Sequence, residues 1–271
     1  KLRRKVFKNK NIFIIMSFIV SNNDSKRTLL KFESQKVNFS DVKMVGKINP
    51  RKIVYVSYDE EEKLHIQTPE MKIPYNVTGQ SYDGGLPKHD ITISFNNMTN
   101  KKQAEFKECI RKIDELMLNK VCSDDETSMK WIKQKTTNKE VAGALYSPML
   151  KVHMDKNSGE PSGMYPDSLK VKLPYYKNKD DDGGRFAFDL YDVNTKEPVE
   201  QSDILSTLVK GSTVRLLIEC TGVWFAGGKF GLSWKAVQAS VKKPKVNFNT
   251  YSFVDEDDDD EVDVRSLEDD E

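Results

Sequence analysis

The spacing of apolar residues changes along the chain, and this change most constrains the fold. Residues 39–96 contain short β-prone runs at 42–45, 53–58, 64–66 and 91–95, separated by turn residues and prolines. Similar runs return at 149–152, 169–173, 186–190, 213–219 and 229–241. Short runs of β-branched and aromatic residues between turn signals are typical of antiparallel sheets. The sequence therefore predicts a mainly β protein.

A helical insert interrupts the predicted sheet at about residues 100–146. Apolar residues recur there at helical spacing, namely Phe106, Ile110, Ile113, Met117 and Val121, and this spacing predicts one amphipathic helix from about 101 to 122. Asp124 and Asp125 are suitable N-cap residues for a second helix around 128–135, and Asn138 for a third that ends near 145. The predicted class is thus mainly β with a helical insert (α+β).

The last two β-prone runs are predicted to form a hairpin. The segment between them, residues 221–228, contains three glycines, which permit the positive φ angles of a long hairpin loop. We therefore expect Trp224 and Phe225 to lie in a loop, where no periodic pattern requires their burial.

Charge is distributed very unevenly. Residues 255–271 hold 12 acidic residues against Arg265 alone, so this segment carries −11, and the preceding 254 residues carry +12. Such a segment cannot collapse against its own repulsion, and we expect residues 244–271 to be a linker and a disordered acidic tail. The basic remainder favours an acidic partner such as nucleic acid.

The first residues are interpreted as translated upstream sequence. Residues 1–15 contain six basic residues, and the first methionine is Met16. A targeting segment is the alternative, although no small-residue cleavage site follows. Without residues 1–15, the body at 16–254 has an excess of +6.

Catalytic and metal chemistry find little support in the sequence. Three histidines, His65, His89 and His153, lack the spacing of zinc ligands. Residues 227–231 lack the spacing of a phosphate-binding loop and lead into a strand. Three widely spaced cysteines favour reduced thiols inside a cell, and no apolar run approaches a membrane span of about 20 residues. We predict no enzyme, no metal, no cofactor and no membrane contact.

Single-stranded nucleic acid is bound by cations along the backbone and by aromatic faces on which bases stack. In residues 169–173, alternation is predicted to bury Leu169 and Val171 and to expose Lys170 and Lys172. The lysines are alternatively no more than a solvated face. The candidate DNA-binding residues are Lys151, Lys170, Lys172, Tyr175, Tyr176, Lys177, Trp224, Phe225, Lys229 and Lys235.

Other aromatic residues are predicted to belong to the core. Phe186, Phe188 and Leu190 share one face of a predicted strand, and Trp131 lies beside the helical insert. On the last strand, Phe230, Leu232 and Trp234 share the face opposite Lys229 and Lys235, so only the lysines of that strand would face DNA.

Three segments resemble a protein family of large nucleocytoplasmic DNA viruses of algae and other protists. They are Leu-His-Ile-Gln-Thr-Pro-Glu-Met at 64–71, Ala-Leu-Tyr-Ser-Pro-Met at 144–149, and Cys-Thr-Gly-Val-Trp-Phe-Ala-Gly-Gly-Lys-Phe-Gly-Leu-Ser-Trp-Lys at 220–235. The resemblance spans roughly residues 16–243. More distantly, the closing hairpin followed by an acidic tail is similar to single-stranded DNA-binding proteins of short-tailed phages.

The resemblance implies an OB-fold-like antiparallel barrel at 16–243 that binds single-stranded DNA in viral replication, recombination or repair. It also implies an acidic tail that contacts replication proteins. The phage tails end with an aromatic residue, whereas the nearest aromatics here, Tyr251 and Phe253, precede the acidic run. The expected location is the host nucleus or a cytoplasmic viral factory. A virion structural or packaging-associated protein is the alternative, and the sequence leaves monomer and homodimer open.

Overall fold

The computed structural model describes residues 18–21, 28–30, 32–59, 62–81, 85–177 and 183–244. The upstream segment 1–15 and the acidic tail lie outside the described residues, so their predictions stay untested.

Strands account for most of the regular structure. In chain order they are β1 (Ile19–Ser21), β2 (Thr28–Leu30), β3 (Val37–Phe39), β4 (Lys43–Val45), β5 (Arg51–Val54), β6 (Val56–Tyr58), β7 (Glu62–Lys63), β8 (His65–Gln67), β9 (Met71–Lys72), β10 (Gly79–Gln80), β11 (Lys88–Ser94), β12 (Tyr146–Ser147), β13 (Leu150–Lys151), β14 (Ser168–Leu173), β15 (Tyr175–Lys177), β16 (Gly184–Phe186), β17 (Asp189–Asp192), β18 (Thr213–Ala226) and β19 (Lys229–Lys242). The α-helices are α1 (Lys101–Val121), α2 (Asp125–Ile132), α3 (Lys139–Leu145) and α4 (Ile204–Thr207), and 3-10 helices cover Ser34–Lys36 and Gln201–Asp203.

Five strands form a ring in the order β19–β14–β11–β9–β18, which closes because β18 pairs again with β19. All contacts are antiparallel except β14 with β19. Single residue pairs join β14 to β19 and β11 to β9, so the ring is only partly closed. An OB fold is a partly open five-stranded Greek-key barrel. The predicted mainly β, OB-fold-like class is confirmed.

The interior of the ring is apolar and almost completely buried. Alternate residues of its strands point inward, among them Met71, Ile91, Ile93, Val171, Leu216, Ile218, Trp234 and Ala236. Full burial of such a side chain stabilises the fold by about 1.5–3 kcal/mol. The opposite side of the same strands is therefore left for polar and charged residues.

The helical insert is confirmed close to its predicted bounds. The side chain of Asn100 caps α1, Asp124 caps α2 and Asn138 caps α3, each by accepting a hydrogen bond from a backbone N–H of the first turn. The second helix begins three residues earlier than predicted, because the Asp124 cap makes the following Asp125 its first residue. No described helix is long and apolar enough to cross a membrane.

A buried carboxyl group attaches the insert to the sheet. Asp114 on α1 accepts hydrogen bonds from the Tyr146 hydroxyl at 2.7 Å and from the Met149 backbone N–H at 3.0 Å. Burial raises the pKa of Asp114, and these hydrogen bonds oppose the rise. The insert is thus held against β12 and the residues that lead into β13.

The run 186–190 is not one strand as predicted. Phe186, Phe188 and Leu190 are all buried, which confirms their assignment to the core. However, β16 ends at Phe186 and pairs with β15, whereas β17 begins at Asp189 and pairs with β19. The chain passes from one sheet to another between residues 186 and 189. Because the apolar residues before and after this bend are all buried, their alternation in the sequence resembles that of a single strand.

Candidate nucleic-acid interface

The hairpin of β18 and β19 is the spine of the candidate interface. Its strands pair from Thr213 with Lys242 to Ala226 with Lys229, and only Gly227 and Gly228 form the turn. Both glycines have positive φ, 57° and 74°, as a two-residue hairpin turn of type I′ requires. The predicted loop at 221–228 is therefore wrong, because the strand pairing continues across two irregularities in register.

Trp224 and Phe225 lie in β18 and point to opposite faces, contrary to the predicted loop. Trp224 pairs with Gly231, and a Cβ atom at Gly231 would lie 3.0 Å from the indole. The glycine thus lets the half-buried Trp224 ring lie close against the sheet on its outer face. Phe225 pairs with Phe230, which is fully buried, and faces the helical insert.

We define the tryptophan row as the outward residues directly beside Trp224 on neighbouring strands. Strand register aligns Lys43 of β4, Ile53 of β5, Trp224 of β18, Gly231 of β19 and Ser147 of β12. The row contains one large aromatic surface and no carboxylate.

Cations flank the tryptophan row at both ends. The amino group of Lys43 lies 5.5 Å from the ring centroid of Tyr55, whose side chain is 43% exposed. At the other end, the amino group of Lys151 donates to the Ser147 hydroxyl at 3.0 Å. Burial and the nearby charge of Lys229 lower the pKa of Lys151, while Asp114 opposes that shift. Both ends of the tryptophan row therefore carry an amino group that attracts anions.

A second row, the charged row, crosses the same face. Strand register aligns His65 of β8, Glu219 of β18, Lys235 of β19, Lys172 of β14 and Asp90 of β11. On β19, Gly231 and Lys235 are four residues apart, so the two rows share a face and lie about 13 Å apart.

The alternation predicted for β14 is confirmed. Leu169, Val171 and Leu173 are 1%, 0% and 2% exposed, whereas Lys170 and Lys172 are exposed. Their partners were not foreseen. Lys170 forms an ion pair with Asp90 at 3.0 Å, so this lysine does not face solvent as an uncompensated charge.

Lys235 is also compensated by a carboxylate. Its amino group lies 3.3 Å from Glu219, which also contacts Lys63 at 3.0 Å and His65 at 3.5 Å. Burial alone would raise the pKa of Glu219, but the hydrogen bonds and charges of Lys63 and Lys235 hold it below its ordinary value. Glu219 is therefore the negative centre of the charged row.

Lys172 differs from its neighbours because it makes no ion pair with any residue that the structure describes. Burial lowers its pKa, as do the charges of Lys88 and Arg51, although Asp90 opposes them. An ammonium group that is partly buried beside other cations gains more electrostatic free energy from an added phosphate than a fully hydrated ammonium group does. Lys172 is the strongest cation candidate of the predicted set.

The segment 175–177 is divided between core and surface. Tyr175 is half-buried and packs against His89 and Phe186, with ring centroids 5.0 Å and 4.9 Å away, and its role in DNA binding stays a prediction. Its strand turns it onto the core because β15 pairs with β16. Tyr176 is 58% exposed, and Lys177 is exposed.

The remaining predicted lysines lie at the hairpin end of the molecule. Lys151 and Lys229 are exposed. Val152 lies past the end of β13 and is 41% exposed, so the predicted strand run 149–152 ends one residue early.

Three contributors were not among the predicted residues. Lys43 belongs to the tryptophan row, Tyr55 lies beside Lys43, and Lys52 lies beneath the hairpin with its amino group 4.6 Å from the Phe225 ring centroid. Alternation across residues 53–55 gave a usable signal, since it places Ile53 and Tyr55 on one face. Nothing in the sequence indicates that β5 pairs with the end of β18.

Metal ligands and cysteine thiols of the described ranges show no reactive arrangement. No group of three or more histidine, cysteine or acidic residues there could hold a metal ion. Burial raises the pKa of Cys109 and of Cys220 to about 12, so both are neutral thiols at neutral pH.

Comparison with known proteins gives a partial likeness of fold. No protein-family model matches the chain, and no curated protein matches it by sequence. The fold is similar to the single-stranded DNA-binding protein from bacteriophage Enc34 in complex with ssDNA, with 14% identity, a TM-score of 0.42, and coverage of 77% of this chain and 98% of that one. It is also similar to gp2.5, a single-stranded DNA-binding protein encoded by bacteriophage T7, with 12% identity, a TM-score of 0.37, and coverage of 70% and 97%. Overlaps of this size do not decide function, which depends on the surface of the chain itself.

Proposed function

We propose that the chain is a non-catalytic single-stranded DNA-binding protein that binds DNA across the outer face of its β-ring. One observation carries the proposal. The half-buried Trp224 ring lies against Gly231 on the same face as Lys172, a lysine that forms no ion pair with any described residue. This face therefore offers a stacking surface and an available cation together.

The two rows supply the two kinds of contact that single strands need. A base stacked on Trp224 contributes about 1–3 kcal/mol whatever its identity, since every base has a π-face. Lys172, Lys151 and Lys43 are placed to meet backbone phosphates on either side. The OB folds that bind oligonucleotides commonly use the second and third strands of the barrel, which correspond here to β11 and β14, and the final hairpin loop.

The biological setting that we propose is viral DNA replication, recombination or repair in the host nucleus or a cytoplasmic viral factory. The three sequence segments that resemble a family of large DNA viruses support this setting. The acidic residues 255–271, at −11, would compete with DNA for the basic face and dock replication proteins.

A gel-shift comparison tests the proposal. Single-stranded DNA, duplex DNA and single-stranded RNA of equal length are titrated with the intact chain at low salt. We expect a preference for single strands over duplex, with affinity that falls as salt rises because phosphate contacts release counterions. Absence of single-strand binding would overturn the proposal and favour the virion structural alternative.

A further inference from the structure

A pocket of about 270 Å³ lies under the tip of the β18–β19 hairpin, on the face opposite Trp224. We call it the hairpin-tip pocket. Its lining comes from Lys52 of β5, from residues 131–133 at the end of α2, and from residues 225–229 around the hairpin turn.

The charge of the pocket is entirely positive. Lys52, Lys133 and Lys229 line it, and no acidic residue does. None of the three forms an ion pair with any residue in the described part of the chain. This differs from the outer face, where Lys170 and Lys235 form ion pairs with carboxylates. Three ammonium groups that lack a carboxylate partner among the described residues, placed around one small cavity, favour a ligand with phosphate charge.

Lys52 is held in place by the end of a helix. Its amino group donates to the backbone carbonyls of Lys130 and Trp131, the latter at 3.0 Å. An ammonium group has three donors, so one is left for a ligand. Burial, together with the charge of Lys133, lowers the pKa of Lys52.

The floor of the pocket is aromatic. The ring centroid of Phe225 lies 5.8 Å from that of Trp131, which meets it edge-on, and 6.4 Å from that of Phe230. Phe225 is half-buried, whereas Trp131 and Phe230 are 5% and 0% exposed. Of these three rings, Phe225 is therefore the one with accessible surface, and cations lie around it.

The hairpin turn leaves a path between the two faces. Gly227 and Gly228 carry no side chains, and a Cβ atom at either one would meet nothing within 4 Å. Trp224 lies on one side of this turn and Phe225 on the other. A flexible strand can pass from the first ring to the second without meeting a side chain of the turn.

We propose that the hairpin-tip pocket binds one further nucleotide of a single strand, with its base or sugar against Phe225 and its phosphate among Lys52, Lys133 and Lys229. This proposal rests on single-strand binding by the outer face and extends it around the hairpin. It assigns a DNA-binding role to Lys52 and Lys133.

Matched lysine variants test the pocket. Lys133→Gln with Lys229→Gln removes two charges from it. Lys135→Gln with Lys242→Gln removes the same charge from exposed positions that do not line it. Both proteins are titrated with single-stranded oligonucleotides from about 4 to about 16 nucleotides, the range of OB-fold sites. Circular dichroism of both variants checks that each retains the fold.

We expect the pocket variant to lose about tenfold in affinity for the longer oligonucleotides, with a salt slope reduced by about 0.7 for one lost phosphate contact. The shortest oligonucleotides should bind both variants alike. Photo-crosslinking of an oligonucleotide that contains 5-iodo-2′-deoxyuridine should label Phe225 itself in the wild type, and sequencing of the labelled peptide distinguishes Phe225 from the neighbouring Trp224. Equal affinities of the two variants at every length would overturn the pocket while leaving the outer face intact. A wild-type chain that binds none of the oligonucleotides would overturn both proposals.

Discussion

The two rows on the outer face differ in how their positive charge is used. The charged row contains two lysines and two carboxylates, and Glu219 holds Lys235 and also Lys63. The tryptophan row contains Lys43 and Trp224 and no carboxylate. Cations that already have partners gain less from a phosphate, so the number of lysines on a face does not measure its affinity for DNA. Cations without an ion-pair partner among the described residues therefore lie in both rows, Lys43 beside Trp224 in the tryptophan row and Lys172 in the charged row.

The largest expected effect is that of Trp224→Ala. A lost stacking contact of about 1–3 kcal/mol weakens single-strand binding by about 5- to 150-fold. Because the ring is only half-buried, the loss of stability should be smaller than the about 3–5 kcal/mol typical of a core tryptophan. Binding titrations and thermal unfolding measure the two effects.

Tyr191→Ala is the matched control for Trp224→Ala. Tyr191 is another half-buried aromatic residue, and it lies beside the opposite end of the hairpin. A Trp224→Ala protein that binds like this control would remove the tryptophan row from the interface.

A smaller effect is expected for the two outward lysines of β14, of which Lys172 belongs to the charged row. Lys170→Glu with Lys172→Glu should weaken single-strand binding severalfold while the fold persists, because both side chains are exposed.

Of the single variants, Lys172→Glu should cost more affinity than Lys170→Glu, since Asp90 already neutralises Lys170. Lys242→Glu, at the far end of β19, controls for total charge. Equal losses for the two single variants would contradict the distinction between paired and available cations.

Removal of residues 255–271 should raise single-strand affinity severalfold at low salt. A tethered segment of −11 is held near the basic face at an effective concentration that reaches about the millimolar range, so DNA must displace it. Salt screens both attractions, and the gain should shrink as salt rises. Titrations of the intact and truncated chains at two salt concentrations decide this. Equal affinities at low salt would mean that the tail does not compete for the face.

The smallest effect on binding is expected for Glu219→Gln, which frees Lys235 and Lys63 and should raise affinity by less than about threefold, the scale of one exposed ion pair. The variant should also change how stability depends on pH. The folded pKa of Glu219 lies below its ordinary value of 4.5, so its ion pairs stabilise the fold above that pH. This stabilisation is lost as the pH falls through the folded pKa. The free energy of unfolding measured in urea should therefore differ between the wild type and the variant at pH 7 and be the same in strong acid. A difference that persists in acid would count against this role of Glu219.

Local patterns predicted the elements that depend on local physics. The spacing from Phe106 to Val121 placed α1, and the capping side chain of Asn138 placed the start of α3. Asp124 was identified as a cap for α2, although the helix was predicted to begin three residues too late. Alternation in β14 placed Lys170 and Lys172 outside. Each of these signals lies within a few residues of the feature it predicts.

The features that the sequence did not predict depend on distant partners. Trp224 was expected in a loop because its segment is rich in glycine, yet pairing with Ile53 and Gly231 extends the strand through it. The ion pair of Lys170 joins strands that the whole helical insert separates. The hairpin-tip pocket forms where β5, α2 and the hairpin pack together, and no local sequence pattern predicts that tertiary contact.

The most direct test of the central claim follows the fluorescence of Trp224 during binding. Trp131 and Trp234 are 5% and 3% exposed, so acrylamide should quench mainly the half-buried Trp224. We predict that saturating single-stranded DNA protects this emission from acrylamide, that duplex DNA protects it less, and that the protection disappears in Trp224→Phe with Trp131 and Trp234 unchanged. Single-stranded DNA that binds without altering the quenching of Trp224 would contradict the proposed interface.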